Sequence, residues 1–353
     1  MENIEILINN LKNLEFLKIL NNDEYYKDIK KTASKLNSKY DTFVIIGFGG
    51  SYIAAKAILD ILKPFQNKVK WITELNQEKI DSFLDLKNSK TAYIFISKSG
   101  ETIEVLSILE YFFKKQINSS QIYSITSDRN NSLRKALKNN SKNIISHLEI
   151  EAGRYSFTTN VCFLILDLII DSSQFRSGLR DAYKDTLNKI ETNAYYNSFY
   201  SNEDYQHLIF FVNDYRFESF NLWLCQLFSE SLSKGKLEAI FPITAIATRD
   251  QHSMLESYAN SFLNNNIHFI DVNISDEFST VRQIEFNSML SLCQRLNIPY
   301  KVFQIENLDE YNLGKVFMQY CLSILTLAFK NDIDPFTQPR VDLKKKLTLE
   351  SLG

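Results

Sequence analysis

Phe43-Val44-Ile45-Ile46-Gly47-Phe48-Gly49-Gly50-Ser51 is the stretch on which the fold turns. Its four apolar residues read as a buried strand; three of the chain's nine glycines follow, and a helical pattern over residues 52–63 comes next. Strand, glycine turn and helix in that order open a βαβ unit. Glycines at such a turn allow close backbone approach to an anion, and the helix N-terminus adds unpaired N–H groups and a positive dipole end. An ordinary βα turn is the plain alternative. A dinucleotide site is another, with Glu74 beyond the next strand as the ribose acid. However, the third glycine of Gly-x-Gly-x-x-Gly falls at Tyr52, so a sugar-sized phosphate ranks above a dinucleotide.

Working outward, apolar runs at Val69–Ile72, Ala92–Ile96, Gln121–Ile125 and Ile144–Leu148 alternate with helical patterns near 78–88, 102–117 and 130–139. Two amphipathic helical stretches within residues 4–38 precede them. After a helical segment over 154–198 the alternation restarts. Leu208–Val212, Ala239–Ile243, Ile267–Val272 and Lys301–Gln304 are the expected strands, with helices near 216–232, 251–264, 278–296 and 307–330. Pro339 opens a final helix. Such alternation predicts an α/β protein with mainly parallel sheets covered on both faces, in two lobes of residues 1–172 and 173–353. Ligands of such sheets bind beyond the carboxyl ends of the strands.

Composition agrees with this architecture. A chain of 353 residues, 44% hydrophobic and 23% charged, is too long for one core and too apolar for disorder. Its 40 basic and 42 acidic side chains leave a net charge of −2, which provides no field for nucleic acid or an acidic membrane. A small anion therefore needs a local positive site. Cys162, Cys225, Cys293 and Cys321 are widely spaced in apolar runs and read as buried thiols of a reducing compartment. Met1–Glu5 lacks the basic start of a signal peptide, and the apolar window Val161–Ile170 is interrupted by Asp167 and too short to span a bilayer, so a soluble cytoplasmic protein is expected.

Five further segments carry chemistry. Ser97-Lys98-Ser99-Gly100-Glu101-Thr102 follows a strand and precedes a helix, and its hydroxyls, lysine and turn N–H groups suit a phosphate dianion. Helix capping is the alternative for Ser99 or Thr102. Gly153-Arg154-Tyr155-Ser156 offers a planar cation for a developing oxyanion, against a surface ion pair as the alternative. Gln226 and Glu230 share a helix face, with Lys234 one turn further on as a possible ion-pair partner for Glu230. His252, in Asp250-Gln251-His252-Ser253, is expected at a helix start and suits proton transfer. The tail reads Gln338-Pro339-Arg340-Val341-Asp342-Leu343-Lys344-Lys345-Lys346.

Taken in order, Gly-x-Gly-Gly-Ser, Ser-Lys-Ser-Gly-x-Thr, Gly-Arg-Tyr-Ser, Gln-x-x-x-Glu-Ser, Gln-His-Ser and Gln-Pro-x-Val-x-x-x-Lys resemble the glucose-6-phosphate isomerase family from about residue 45 to 346. The resemblance implies two sugar-isomerase (SIS), flavodoxin-like αβα lobes with N-terminal helices and a C-terminal helical tail. It implies interconversion of glucose 6-phosphate and fructose 6-phosphate in glycolysis and gluconeogenesis, with no metal or cofactor, in a homodimer whose active site is shared.

Position by position, it implies that Ser51, Ser97, Ser99 and Thr102 contact the phosphate, with Lys98 supporting the loop, and that Gly49, Gly50 and Gln338 also line the substrate. Arg154 is similar to the group that stabilises an enediolate, Glu230 to the base between C2 and C1, and Gln226 to a residue that positions substrate. His252 and Lys345 match the pair that opens the sugar ring, His252 from the neighbouring subunit. The chain departs from the family at Ala152, Ser233 and Arg340, each standing where a glycine is usual, and it is short for the family. A carboxylate that accepts and returns one carbon-bound proton suffices for an aldose–ketose exchange, and no cluster of metal-binding side chains is evident in the sequence. The alternatives are an isomerase that also accepts mannose 6-phosphate, a sugar-phosphate regulator without catalysis, and a dehydrogenase.

Overall fold

Parallel strands need long crossovers, and the alternating pattern supplies them. The computed structural model describes residues 9–84, 89–189, 206–234, 240–260 and 264–351. Readings that fall on residues 4–8, 85–88, 190–198, Ala239 and 261–263 lie outside the described residues.

Among the described residues the strands form two sheets, and every pairing is parallel. The first contains β1 Thr42–Ile46, β2 Val69–Ile72, β3 Thr91–Ile96, β4 Ile122–Thr126 and β5 Ile144–Ser146, in the order β2-β1-β3-β4-β5. The second contains β6 His207–Val212, β7 Phe241–Ile246, β8 Asn265–Val272 and β9 Tyr300–Ile305, in the order β7-β6-β8-β9. In each sheet the order reverses between the first and third strands. The loops after β1 and β3, and after β6 and β8, therefore diverge and leave a crevice at the switch point.

β3 and β8 are buried along their whole length, as expected of central strands covered on both faces. Tyr93, Phe95 and Phe112 fill the first core, and Phe211, Phe269 and Phe286 the second. Pro242 lies within β7, where its missing N–H is tolerated because β7 is an edge strand.

Several element boundaries differ from the sequence reading. β5 stops at Ser146 and gives way to the loop toward Arg154. β7 continues to Ile246, so the helix expected from 251 begins instead at Ala247 and ends at Ser253. The segment after 154 opens as a 3-10 turn, Gly153–Thr158, before the helices Asn160–Asp167 and Ser173–Lys189. The helix Glu310–Lys330, not the window at 161–170, is long and apolar enough to cross a membrane, but 78% of its apolar stretch is buried inside the protein, as in a core helix. Cys162, Cys293 and Cys321 are buried, while Cys225 is only half-buried.

The chain divides into two compact units, one of Asn9–Asp181 with Asp309–Lys315, the other drawing on Ala182–Leu308 and Val316–Gly353. The sequence reading put the division at 172/173. Ser173–Asp181 stays with the first unit because two helical glycines allow backbone contact there. A β-carbon on Gly178 would lie 1.9 Å from the carbonyl oxygen of Tyr311, and one on Gly314 would lie 2.2 Å from that of Phe175.

Candidate active site

In the first unit, both loops at the switch point end in helices whose N-termini lack a side-chain cap. Tyr52 precedes the helix Ile53–Leu62 and Thr102 precedes Ile103–Lys114, and neither side chain makes the capping bond. Thr102 turns its hydroxyl to Ser97 Oγ at 2.7 Å, and Ser97 Oγ also accepts from the Gly100 N–H at 3.1 Å. Ser99 Oγ accepts from the Glu101 N–H at 3.2 Å. Capping therefore does not account for Thr102. Its helix keeps unpaired N–H groups beside a cluster of hydroxyls, which suits an anion. Gly100 adopts φ +69°, and a β-carbon there would lie 2.1 Å from Asn131 Cγ, so glycine is required on two grounds. Ser51 is half-buried at the end of the Gly49–Ser51 turn.

Lys98 does not reach toward the hydroxyls. Its ammonium donates to the Ile150 carbonyl and braces the chain leading to Arg154. Burial lowers its pKa, while Glu149 and Glu151 oppose that shift. Glu74, the acid of the dinucleotide alternative, forms an exposed ion pair with Lys79 at 2.5 Å.

Arg154 is buried, with 2% of its surface exposed, so the surface ion-pair reading fails. Its turn packs backbone against backbone on the first glycine loop. A β-carbon on Gly50 would lie 2.4 Å from the carbonyl carbon and oxygen of Gly153, and Ser156 Oγ donates to the Gly50 carbonyl at 2.6 Å. From the other side, Glu151 accepts the Glu15 N–H at 2.5 Å, and Phe16 stacks on Tyr155 with ring centroids 4.6 Å apart. Ala152 has extended backbone, φ −151°, where glycine has no advantage.

In the second unit, the helix Glu218–Leu232 presents Gln226 and Glu230 on one face, both half-buried. Gln226 Nε2 donates to Glu230 Oε1 at 2.9 Å. Lys234 extends beyond the helix end to the carbonyls of Asp334, at 2.5 Å, and Thr337, at 2.7 Å. Gln338 follows directly as the N-cap residue of the helix Pro339–Glu350. The end of the helix that bears Gln226 and Glu230 is thus joined to the start of the tail through Lys234.

His252 and Lys345 are not drawn into that group. His252 is exposed in the last turn of Ala247–Ser253, not at a helix start, because β7 and the helix after it fall earlier than expected. Lys345 is exposed, 3.9 Å from Asp342, on a helix that buries none of its side chains. The sequence reading missed Ser156, the brace from Glu151, and a clamp on the His252 helix. In that clamp Arg249 bonds both Glu218, at 2.6 Å, and Asp250, at 2.8 Å, while Asp250 accepts the Ile246 N–H at 2.7 Å. Only the adjacency of Ser156 to Gly-Arg-Tyr signalled any of these in the sequence.

The loops after β6 and β8 hold the equivalent place in the second sheet and carry Asp214 and Asp276. Asp214 pairs with Arg216 and Asp276 with Arg282, each at 2.5 Å, so these cations are already engaged. Among the described residues no group of three or more His, Cys, Asp or Glu side chains is placed to hold a metal ion.

Two units with all-parallel sheets that share the order second-first-third-fourth strand, with a hydroxyl-rich loop at the switch point of the first sheet, give an α/β fold shared with solved SIS-domain phosphosugar isomerases. Within that class the chain is similar over most of its length to curated glucose-6-phosphate isomerases. It is 27% identical over 355 residues to the glucose-6-phosphate isomerase of Methanocaldococcus jannaschii, covering 92% of this chain and 87% of the relative. It is 29% identical over 387 residues to that of Mesomycoplasma hyopneumoniae strain 7448, covering 96% and 89%. The crystal structure of a glucose-6-phosphate isomerase from Chlamydia trachomatis superposes with a TM-score of 0.76 at 18% identity, covering 94% of this chain and 73% of the other; that likeness bears on the fold. No family model matches the chain.

Proposed function

We propose that the protein interconverts glucose 6-phosphate and fructose 6-phosphate by proton transfer through a cis-enediol. The observation that carries this reading is the Glu230 carboxylate, half-buried and held by Gln226 at 2.9 Å on a helix whose end is joined to the tail. A carboxylate fixed in this way can take the proton from C2 of the open-chain aldose and return it to C1, while a second proton passes between the two oxygens. Ser51, Ser97, Ser99, Thr102 and the N–H groups of their turns hold the phosphate, with Gly49 and Gly50 shaping the first loop. Arg154 stabilises the negative oxygen of the enediolate as a fixed, desolvated cation. Gln338 contacts the sugar, and His252 and Lys345 move the protons that open the ring.

In this reading the protein acts in glycolysis and gluconeogenesis in the cytoplasm, as a homodimer in which His252 serves the partner's site. The exposure of His252 on its own chain supports that assignment. The test is a coupled assay of glucose 6-phosphate formed from fructose 6-phosphate, run also in deuterated water. Formation of the aldose with solvent deuterium at C2 supports the reading. A purified, folded chain that forms no aldose refutes it, and isomerisation with no trace of solvent label refutes the proton-transfer route.

A further inference from the structure

Two segments of the second unit each lend a cation to the other's backbone. Lys234, just past the helix that bears Glu230, donates to the Asp334 carbonyl at 2.5 Å, the Thr337 carbonyl at 2.7 Å and Thr337 Oγ1 at 3.4 Å. In return, Arg340, in the first turn of the tail helix, donates to the Ser233 carbonyl at 3.4 Å. We propose that Lys234 and Arg340 form a reciprocal clasp and that Lys234 is a positioning residue, setting Gln338 and the tail helix relative to Glu230.

The physical ground is what else holds the tail. Pro335 is buried and the Phe336 ring lies 6.4 Å from that of Phe329, so apolar packing fixes the chain as far as Phe336. Beyond it, the helix Pro339–Glu350 buries no side chain, and a twelve-residue helix without an apolar anchor is marginal in water. Polar contacts at its start therefore contribute to placing the segment from Thr337 onward. Lys234 supplies charge-assisted ones, because an ammonium has three N–H donors and the Asp334 carbonyl, the Thr337 carbonyl and Thr337 Oγ1 are among its acceptors. Ser233 and Arg340 are two positions where the sequence departs from the family it resembles, and they meet in the second arm of the clasp. Ser233 has φ −71°, which needs no glycine.

The kinetic consequence rests on the proposed isomerase reading; the structural one does not. The experiment compares the full-length parent with Lys234→Met, Lys234→Arg, Lys345→Met and the double variant Lys234→Met/Lys345→Met. Amide hydrogen exchange is followed over residues 337–342, and kcat and KM are measured for fructose 6-phosphate. Lys234→Met is expected to speed exchange of those amides about tenfold and to lower kcat about tenfold while KM holds within about twofold. Lys234→Arg restores both, and the double variant is no slower than Lys345→Met, because both changes act through the same tail.

Unchanged exchange in Lys234→Met overturns the clasp, and losses that multiply in the double variant overturn its positioning role. Should Lys234→Met fail to fold, Arg340→Met takes its place, with faster exchange over the same residues supporting the clasp and unchanged exchange refuting it. A parent that folds but does not isomerise refutes the function alone, and the exchange result then decides the clasp.

Discussion

Ser156 donates its hydroxyl to the carbonyl of Gly50 at 2.6 Å, and this bond joins the first glycine loop to the turn that carries Arg154. A β-carbon on Gly50 would lie 2.4 Å from the Gly153 carbonyl, so Gly50→Ala must push the two backbones apart. Displacement of Arg154 by a fraction of an ångström is expected to cost about 10² in kcat, with little change in sugar-phosphate affinity. Ser156→Ala removes one buried hydrogen bond and should lower stability by about 1 kcal/mol. Steady-state kinetics and calorimetry check the pair; a Gly50→Ala enzyme with parental kcat would show that the contact is not needed.

Thr102 bonds Ser97 and leaves its helix uncapped. Thr102→Val keeps the shape and loses the hydroxyl, so the dissociation constant for a sugar phosphate should rise about tenfold, while Thr102→Ser should stay near the parent. The companion variant Ser99→Ala/Thr102→Ala should bind more weakly still. Titration calorimetry reads all three, and undiminished binding in the double variant would remove the phosphate from this loop.

Glu230→Gln preserves the contact distance to Gln226 and abolishes basicity. Solvent deuterium incorporation at substrate C2 is expected to fall by about 10² to 10⁴ while phosphate binding survives. Activity of the parent is expected to withstand exhaustive chelation. Loss with EDTA and recovery with a divalent cation would indicate a hydride shift instead.

Because His252 is exposed on its own chain, subunit mixing tests whether it acts in the partner's site. Chains carrying Glu230→Gln and chains carrying His252→Ala are mixed under conditions that exchange subunits. Random pairing puts half the dimers in the mixed form, each with one intact site, so activity should return to about a quarter of the parental level. No recovery, with exchange confirmed by mass, would place His252 in its own subunit's site.

His147 is buried just after β5, and burial lowers its pKa to about 4, with its bond to the Leu148 carbonyl opposing the shift and the charge of Lys98 adding to it. The unfolded chain, with an ordinary histidine pKa near 6.5, binds the proton first as pH falls. The stabilisation is therefore complete above about pH 6.5 and is lost progressively down to about pH 4, a change of about 3 kcal/mol for this group. His268, lowered to about 3 by burial, adds to the same slope. Melting curves between pH 7.5 and 4.5 should show a shallower acid fall in His147→Gln than in the parent. Equal slopes would mean that folding does not lower the pKa of His147.

The parallel sheets and the glycine- and hydroxyl-rich turns that follow their strands were legible in the sequence because their causes are local. Strand propensity, crossover length and glycine placement are properties of short segments, and β1 with its Gly-x-Gly-Gly-Ser turn contained all three. The motif order also marked Arg154, Gln226 and Glu230. Only the tertiary structure decided what each of these touches. Capping was only the alternative for Thr102, which bonds Ser97 instead; Lys234, one turn past Glu230, reaches across a hundred residues to the tail. The burial of Arg154, the contact of Gly50 with Gly153 and the pairing of Ser233 with Arg340 have no local signature. Each is made between segments far apart in sequence, where a side chain's partner is set by how the layers pack and not by its neighbours along the chain.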